Sequence, residues 1–369
     1  MIYSAYIIDG ERQKLTPNQI LQSVSSFPVH DACGEGGLEP IVDETPDADP
    51  TAVTLESRKV EKYLNSVLRT ERVIPMPFAG SYTRGCVARA LLNCIWKMGH
   101  FRIGDLSVDA RWYWNSDEIG NMAGFYRSVE ALGDQLNSLN IQLRDFSCTR
   151  TEGDCRLEVS ADLRPSADDE ELIEQPFKTS NPHMGVSGIS HSLQNDERSW
   201  LVYIPFDMSA YRLGGSLLAQ AQGINPPVAP TLDDADYFID CYEVVRELVE
   251  DGIVLSGATV GEGGLLAAVK GMANARTGAN IDISDIRRAY PGTDIVSILF
   301  AEIPGVVVQI RDIDFDYIDA ELLLQDVAFY PLGHPVSGNG AVRVRSSAKT
   351  GLQNILESLV QRQVGEGED

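Results

Sequence analysis

Tyr211-Arg-Leu-Gly-Gly-Ser-Leu-Leu-Ala-Gln220 sets a glycine pair directly ahead of a helix-forming run. A second turn of this kind, Gly261-Glu-Gly-Gly-Leu-Leu-Ala-Ala-Val-Lys-Gly-Met-Ala273, follows a strand-like stretch. Glycines between a strand and a helix let the backbone approach a ligand closely, and the helix start offers free N–H groups to an anion. The same glycines also serve as tight packing turns. Neither segment fits GxGxxG or GxxxxGK[ST], so packing turn and phosphate cradle both stand as readings. Arg212 adds a side chain able to hold phosphate bidentately. Ser216 is not read as a nucleophile, because Gly-Gly-Ser-Leu-Leu-Ala is not GxSxG and no histidine is near it in sequence.

Outward from these turns the chain alternates strands and helices. Upstream, Ile2 to Ile8 reads as a short strand. Ser57 to Leu68 and Val87 to Met98 carry apolar residues at spacings of three and four, and Gly99 sits where the second helix should stop. Ile103 to Trp114 reads as a strand, with Trp112-Tyr-Trp114 alternating in and out, and Asn121 to Leu139 as a third helix. Pro165 to Ser199 is a long polar connection, followed by a strand at Trp200 to Ile204. Thr231 to Asp251 reads as an amphipathic helix whose acidic start (Asp233, Asp234, Asp236, Asp240) suits capping better than metal binding. Ile295 to Ala301, Val306 to Arg311, Asp316 to Asp326 and Ala341 to Arg345 continue the alternation. His334, in Pro331-Leu-Gly-His-Pro335, reads as a turn residue. The pattern predicts an α+β or α/β fold with a mixed sheet.

Bulk properties exclude several classes. The 369 residues suggest two or three domains, and 43% hydrophobic residues suffice for a real core. Fifty-four acidic against thirty basic residues give a net charge of −24, which disfavours nucleic acid and anionic membranes as partners. With seven lysines and twenty-three arginines, an anionic ligand would have to be held by arginines and backbone N–H groups. No apolar run approaches the ~18 residues needed to cross a bilayer, and the N-terminus does not read as a secretory signal. Six cysteines form no CxxC and five histidines no HExxH, so a structural zinc site is not expected. Reduced thiols in a cytoplasmic protein are the default.

Several segments together resemble one family. Arg212-Leu-Gly-Gly-Ser-Leu-Leu-Ala-Gln220 is similar to the R-L-G-G-[ST]-A-L-A-Q signature of phosphoribosylformylglycinamidine synthase, in its second aminoimidazole-ribotide (AIR) synthetase-like half. Leu299-Phe-Ala-Glu-Ile-Pro-Gly305 resembles L-F-A-E-E-P-G, and Val87-Ala-Arg-Ala-Leu-Leu-Asn93 resembles V-A-E-A-L-T-N. Arg111-Trp-Tyr-Trp114 sits where the family has N-W-M-x, ahead of a helix through Gly124-Phe-Tyr-Arg-Ser-Val-Glu-Ala-Leu132. Order and spacing agree over roughly residues 55–345. The resemblance implies a two-part AIR-synthase-like module, with a strand-rich N-terminal part that pairs with another module and a C-terminal α/β part. The expected division is a lead-in at 1–54, an N-terminal domain with a polar linker at 55–198, a C-terminal α/β domain at 199–346, and a terminal helix with acidic tail at 347–369. In the full enzyme two such modules form an ATP-dependent ligase acting on formylglycinamide ribonucleotide; only the second is represented here.

The departures bear on the chemistry. The family's H-D-x-S-D-G-G-L stands here as Ala258-Thr-Val-Gly-Glu-Gly-Gly-Leu265, and the Glu of V-A-E-A-L-T-N is Arg89. Magnesium takes oxygen ligands, often carboxylates beside phosphates. An arginine in place of a carboxylate, with only Glu262 left as a metal ligand, predicts that magnesium-bridged ATP use is crippled, unless Arg89 meets a phosphate directly. A bound ATP or ADP would then lie against Gly214, Gly215, Gly263 and Gly264, with Arg212, Ser216, Arg89 and Asn93 as side-chain contacts. No catalytic residue is assigned. The resemblance implies a homodimer or pairing with a first-module synthase protein. The expected role is a catalytically incomplete scaffold or regulatory module; the alternatives are a working subunit of a split synthase, or a metal-independent ribonucleotide-binding protein.

Overall fold

The computed structural model describes residues 1–25, 39–47, 55–164 and 188–346. The terminal helix expected over 347–369, and residues 165–187 of the polar connection, lie outside the described residues. The chain opens with β1 (Tyr6–Ile8), β2 (Glu11–Arg12), α1 (Pro17–Val24) and β3 (Ile41–Asp43), the strands ordered β2-β1-β3. Helix α1 starts where Thr16 and Gln19 form a reciprocal capping box and Pro17 supplies a helical φ. The expected lead-in strand Ile2 to Ile8 is shorter than its apolar pattern suggests. The described residues of the lead-in are packed. Tyr6, Ile8 and Leu21 are buried, and Asp43 accepts hydrogen bonds from the N–H groups of Gly120, Met122 and Ala123.

Helices α2 (Val60–Val67) and α3 (Ala79–Cys94) lead to β4 (Leu106–Trp114), α4 (Asn121–Ser138), β5 (Gln142–Arg150) and β6 (Arg156–Leu163). The three strands form a sheet ordered β5-β4-β6, and α3 and α4 cover one face of it. Strand β4 follows its alternation: Leu106, Val108, Ala110, Trp112 and Trp114 point into the core. The two indoles donate to Ser128 Oγ (2.9 Å) and to the Asn121 carbonyl (2.7 Å), so their polar atoms are satisfied. The other face of this sheet is polar, with Asp109, Arg111, Glu158 and Asp162 among its residues. Helix α3 begins eight residues before the expected start and ends at Cys94 rather than Met98. Its first half, Ala-Gly-Ser-Tyr-Thr-Arg-Gly, lacks the periodic apolar signal, and packing against α4 holds it helical.

The C-terminal part comprises β7 (Trp200–Pro205), α5 (Leu217–Gln222), α6 (Ala235–Glu250), β8 (Val254–Val260), α7 (Gly264–Met272), β9 (Thr277–Asp282), α8 (Ser284–Ala289), α9 (Ile295–Phe300), β10 (Gly305–Ile310), α10 (Phe315–Leu324), β11 (Tyr330–Ser337) and β12 (Val342–Arg345). Its six strands are ordered β12-β9-β11-β7-β10-β8, antiparallel except for the β12–β9 pair. Asp234 caps α6 through the Tyr237 N–H at 3.0 Å, as an acidic helix start should. His334 lies within β11 rather than in a turn.

Strands β7 and β10 are buried on both faces and read as near-continuous apolar runs. Val202, Ile204, Val306 and Val308 face a core shared with α3, β4, α4 and α6, so the two parts of the chain have one continuous interior. Leu201, Tyr203 and Val307 face a second core with α5, α7 and α9. Arg246 of α6, fully buried, joins the parts: its guanidinium donates to the carbonyls of Ile95, Lys97 and Gly99 beyond α3 and lies 4.1 Å from the Phe101 ring centroid. These contacts hold the end of α3 against the C-terminal part and so fix the cleft between them.

Candidate functional site

Both glycine turns point at one side chain, Glu302, in the segment between α9 and β10. Its Oε1 accepts from the Leu217 N–H at 2.8 Å, the first residue of α5, and from the Gly263 N–H at 2.9 Å, just ahead of α7. Its Oε2 pairs with Arg72 Nη2. A helix start with free N–H groups attracts an anion; here the anion is a carboxylate of the same chain. The side chain of Arg72 is only 7% exposed, and its Nε lies 3.4 Å from Glu262 Oε1 without hydrogen-bonding geometry.

Glu262 also pairs with Arg89 (Nη2 to Oε1, 3.2 Å). Arg72 and Arg89 both lie against the Tyr82 ring, at 5.2 and 6.0 Å from its centroid. The result is a charge-balanced quartet of two guanidiniums and two carboxylates. Burial works to lower the Arg89 pKa, but attraction from Cys86, Glu262 and Glu302 outweighs it and holds the group above its ordinary value. Gly261 makes room for this arrangement, since a Cβ there would stand 2.3 Å from Arg89 Cδ.

Arg89 divides two hollows. On one side is a cavity of about 40 Å³ between α3, the segment before it and the first glycine turn, lined by Arg72, Tyr82, Gly214, Gly215, Ser216 and Glu302 among others. That is room on the scale of ordered water, not of a nucleotide. On the other side is an open cavity of about 750 Å³ between β6, α3, β8 and α7, within the range of small-molecule sites. Its polar lining includes Arg89, Asn93, Glu158, His191, Thr259 and Glu262.

The residues expected to meet nucleotide are thus divided. Gly214, Gly215 and Ser216 line the small cavity, Asn93 and Glu262 the large one, and Arg89 both. Gly263 and Gly264 line neither; the Gly263 N–H is taken by Glu302. Arg212 is exposed and lines neither cavity. Ser216 caps α5, its Oγ accepting from the Ala219 N–H at 3.2 Å. Gly214 meets its own fold: its N–H donates to the Val228 carbonyl at 2.8 Å, and a Cβ would lie 2.3 Å from that oxygen. Asn93 is exposed to the large cavity, and its side chain makes no hydrogen bond among the described residues.

Magnesium does not fit the donor set. Arg89 and Arg72 already sit against Glu262, putting positive charge where the cation would need free carboxylate oxygens. No three His, Cys, Asp or Glu side chains are grouped to hold a metal ion among the described residues.

Sequence reasoning missed Glu302, Arg72, Tyr82 and His191. The Leu299–Gly305 motif contained Glu302, but nothing local says that its carboxylate reaches both turns. His191 lies beside Ala258, where the family pattern has its histidine. Its Nδ1 is 2.8 Å from the Gly257 carbonyl, an acceptor, so Nδ1 carries a proton and donates it there.

Comparison with known proteins places this geometry. Residues 210–314, which carry both glycine turns and Glu302, match the family described as AIR synthase related protein, C-terminal domain. Human phosphoribosylformylglycinamidine synthase is 30% identical over 279 residues, covering 75% of this chain and 20% of the human protein. This is an AIR synthase-related module like those of phosphoribosylformylglycinamidine synthase. A chloroplastic/mitochondrial protein of Arabidopsis thaliana described as a probable phosphoribosylformylglycinamidine synthase is 25% identical over 283 residues, 75% of the module and 19% of the plant protein. The module thus spans about a fifth of these relatives. A solved structure of T. maritima PurL complexed with FGAR shares the fold at 13% identity, with a TM-score of 0.50 over 77% of the module and 42% of that chain. No helix among the described residues is long and apolar enough to cross a membrane.

Proposed function

We propose that this chain is a catalytically incomplete module of the phosphoribosylformylglycinamidine synthase type, serving purine biosynthesis in the cytoplasm as a scaffold or regulatory partner rather than turning over ATP. The observation that carries this reading is the Glu302 carboxylate, which takes the N–H groups of both glycine turns and the Arg72 guanidinium. A nucleotide phosphate would have to displace an intramolecular anion already satisfied by three donors. The Arg89–Glu262 pair adds to it by neutralising the one carboxylate left for a metal. The pairing partner on this reading is a second copy or a first-module synthase protein, met through the edges and polar outer face of the β5-β4-β6 sheet. Calorimetric titration with ADP and ATP, each with and without magnesium, tests the proposal. The expected result is no binding under any condition. Micromolar binding that requires magnesium would overturn it and favour a working subunit of a split synthase, completed by a partner chain.

One observation favours a second reading, a metal-independent ribonucleotide-binding protein. The cavity of about 750 Å³ is roomy enough for such a ligand, and Arg89, Asn93 and His191 are its available polar contacts. Binding that ignores magnesium and is lost in Asn93→Leu would support this reading over the first.

A further inference from the structure

Helix α10 and the turn ahead of it are apolar on two opposite sides. The inner side holds the helix down: Phe315, Ile318 and Leu322 pack into the first core, Phe315 with its ring centroid 4.8 Å from that of Trp200. The outer side carries Ile313, Tyr317 and Leu324, which are 84%, 48% and 78% exposed. Ala320, also exposed, lies between the last two, and Leu323 (65% exposed) is alongside. Spacings of four, three and four residues align this outer set as one stripe. Folding does not need the stripe, since the inner side already anchors the helix. A contiguous exposed apolar patch with a polar rim is the kind that marks an interaction surface.

The rim is acidic and uncompensated. No cation pairs with Asp316, Asp319, Glu321 or Asp326 among the described residues, nor with Asp251 at the end of α6. Arg311, the nearest arginine in sequence, is taken by Asp314 (Nε to Oδ2, 2.6 Å). The local field registers on Tyr317, whose phenol is held above its ordinary value by Glu321 first and by Asp251 and Glu247 beyond it.

We propose that the outer face of α10 docks a basic amphipathic helix of a partner protein, its apolar stripe laid on Ile313, Tyr317 and Leu324 and its lysines or arginines on the surrounding carboxylates. Charge selects this occupant. A second copy would bring an identical acidic rim against the first, an arrangement that like charges oppose. Residues 347–369 carry more acidic than basic side chains and meet the same opposition. An anionic membrane is repelled for the same reason.

The test uses the full chain and a fluorescent synthetic peptide with leucines at helical spacing, flanked by lysines, beside a control in which glutamates replace the lysines. Anisotropy should show salt-sensitive binding of the lysine peptide, at least about tenfold tighter than the control. The double variant Ile313→Asp/Leu324→Asp should weaken lysine-peptide binding by about tenfold or more. Asp316→Lys/Glu321→Lys should reverse the preference between the peptides. Ile313, Asp316 and Leu324 are exposed and Glu321 is half-buried, so circular dichroism should confirm that the variants stay folded. Equal affinity for both peptides, or for parent and double variant, would overturn the proposal. So would self-association that the double variant abolishes, which makes a second copy the occupant. Binding that appears only after removal of residues 347–369 would overturn it as well, because the chain then covers its own face.

Discussion

The two hollows on either side of Arg89 are built from shared walls yet end in opposite states. Tyr82, Arg89 and Gly261 line both. Toward the first glycine turn the space has closed to about 40 Å³ around a satisfied carboxylate. Toward β6 and α7 it stays open at about 750 Å³, with the Asn93 amide and the His191 Nε2 without protein partners among the described residues. A glycine-rich turn at a helix start therefore predicts an anion, not a ligand. A single acidic side chain in the right place turns a binding cradle into a structural joint.

The sharpest test of that contrast is Glu302→Ala. It strands the Leu217 and Gly263 N–H groups and leaves Arg72 only its longer contacts to Glu262 and the Gly215 carbonyl, and breaking a buried pair from one side costs about 3 kcal/mol or more. Thermal unfolding should show a fall of several degrees, and added formate should recover part of it by refilling the vacated position. No recovery with formate would mean that the turns do not form an anion site even when emptied.

Next in size is Arg89→Glu, which restores a carboxylate at this position and removes the wall between the hollows. Facing Glu262 and Glu302, the new charge should destabilise the module by about 1–3 kcal/mol. Magnesium should then raise the melting temperature of the variant and leave the parent unchanged. A parent stabilised equally by magnesium would break the contrast.

Gly261→Ala should cost about 1–2 kcal/mol, because the new methyl meets Arg89 Cδ and must push it aside. Chemical denaturation would measure it, and Gly261→Ala combined with Arg89→Ala should recover most of the loss. Smallest of all is Ala268→Phe on the wall of the open cavity. Stability should move by no more than about 0.5 kcal/mol, whereas any ribonucleotide binding in that cavity should vanish.

What the sequence made legible was whatever depends on near neighbours. Periodicity located β4 with its two inward tryptophans and the long helix α4, and the turn chemistry located Gly214 and Gly263. The start of α3 was hidden because Gly80, Ser81 and Gly85 have weak helix propensity, and tertiary packing overrides them. The docking of residues 1–25 was hidden because nothing local says what Tyr6, Ile8 and Leu21 pack against. The site failed to appear whole for a different reason. Glu302 meets partners at 72, 217 and 263, and Arg89 meets 262, so the quartet exists only after both parts have folded onto their common core. Arg89 itself was legible as a substitution for a carboxylate, but its partner, Glu262, was read as a candidate metal ligand rather than as a counter-ion.

Because Glu302 is part of the chain, its local concentration at the two turns never changes. An external ligand stabilises a protein in proportion to how much of it the surroundings supply; a tethered carboxylate does so equally in plenty and in scarcity. At this joint the module has no empty form to be told apart from a filled one. Its shape there is a constant of the sequence, indifferent to the rise and fall of nucleotide pools, which suits a part that others are built against.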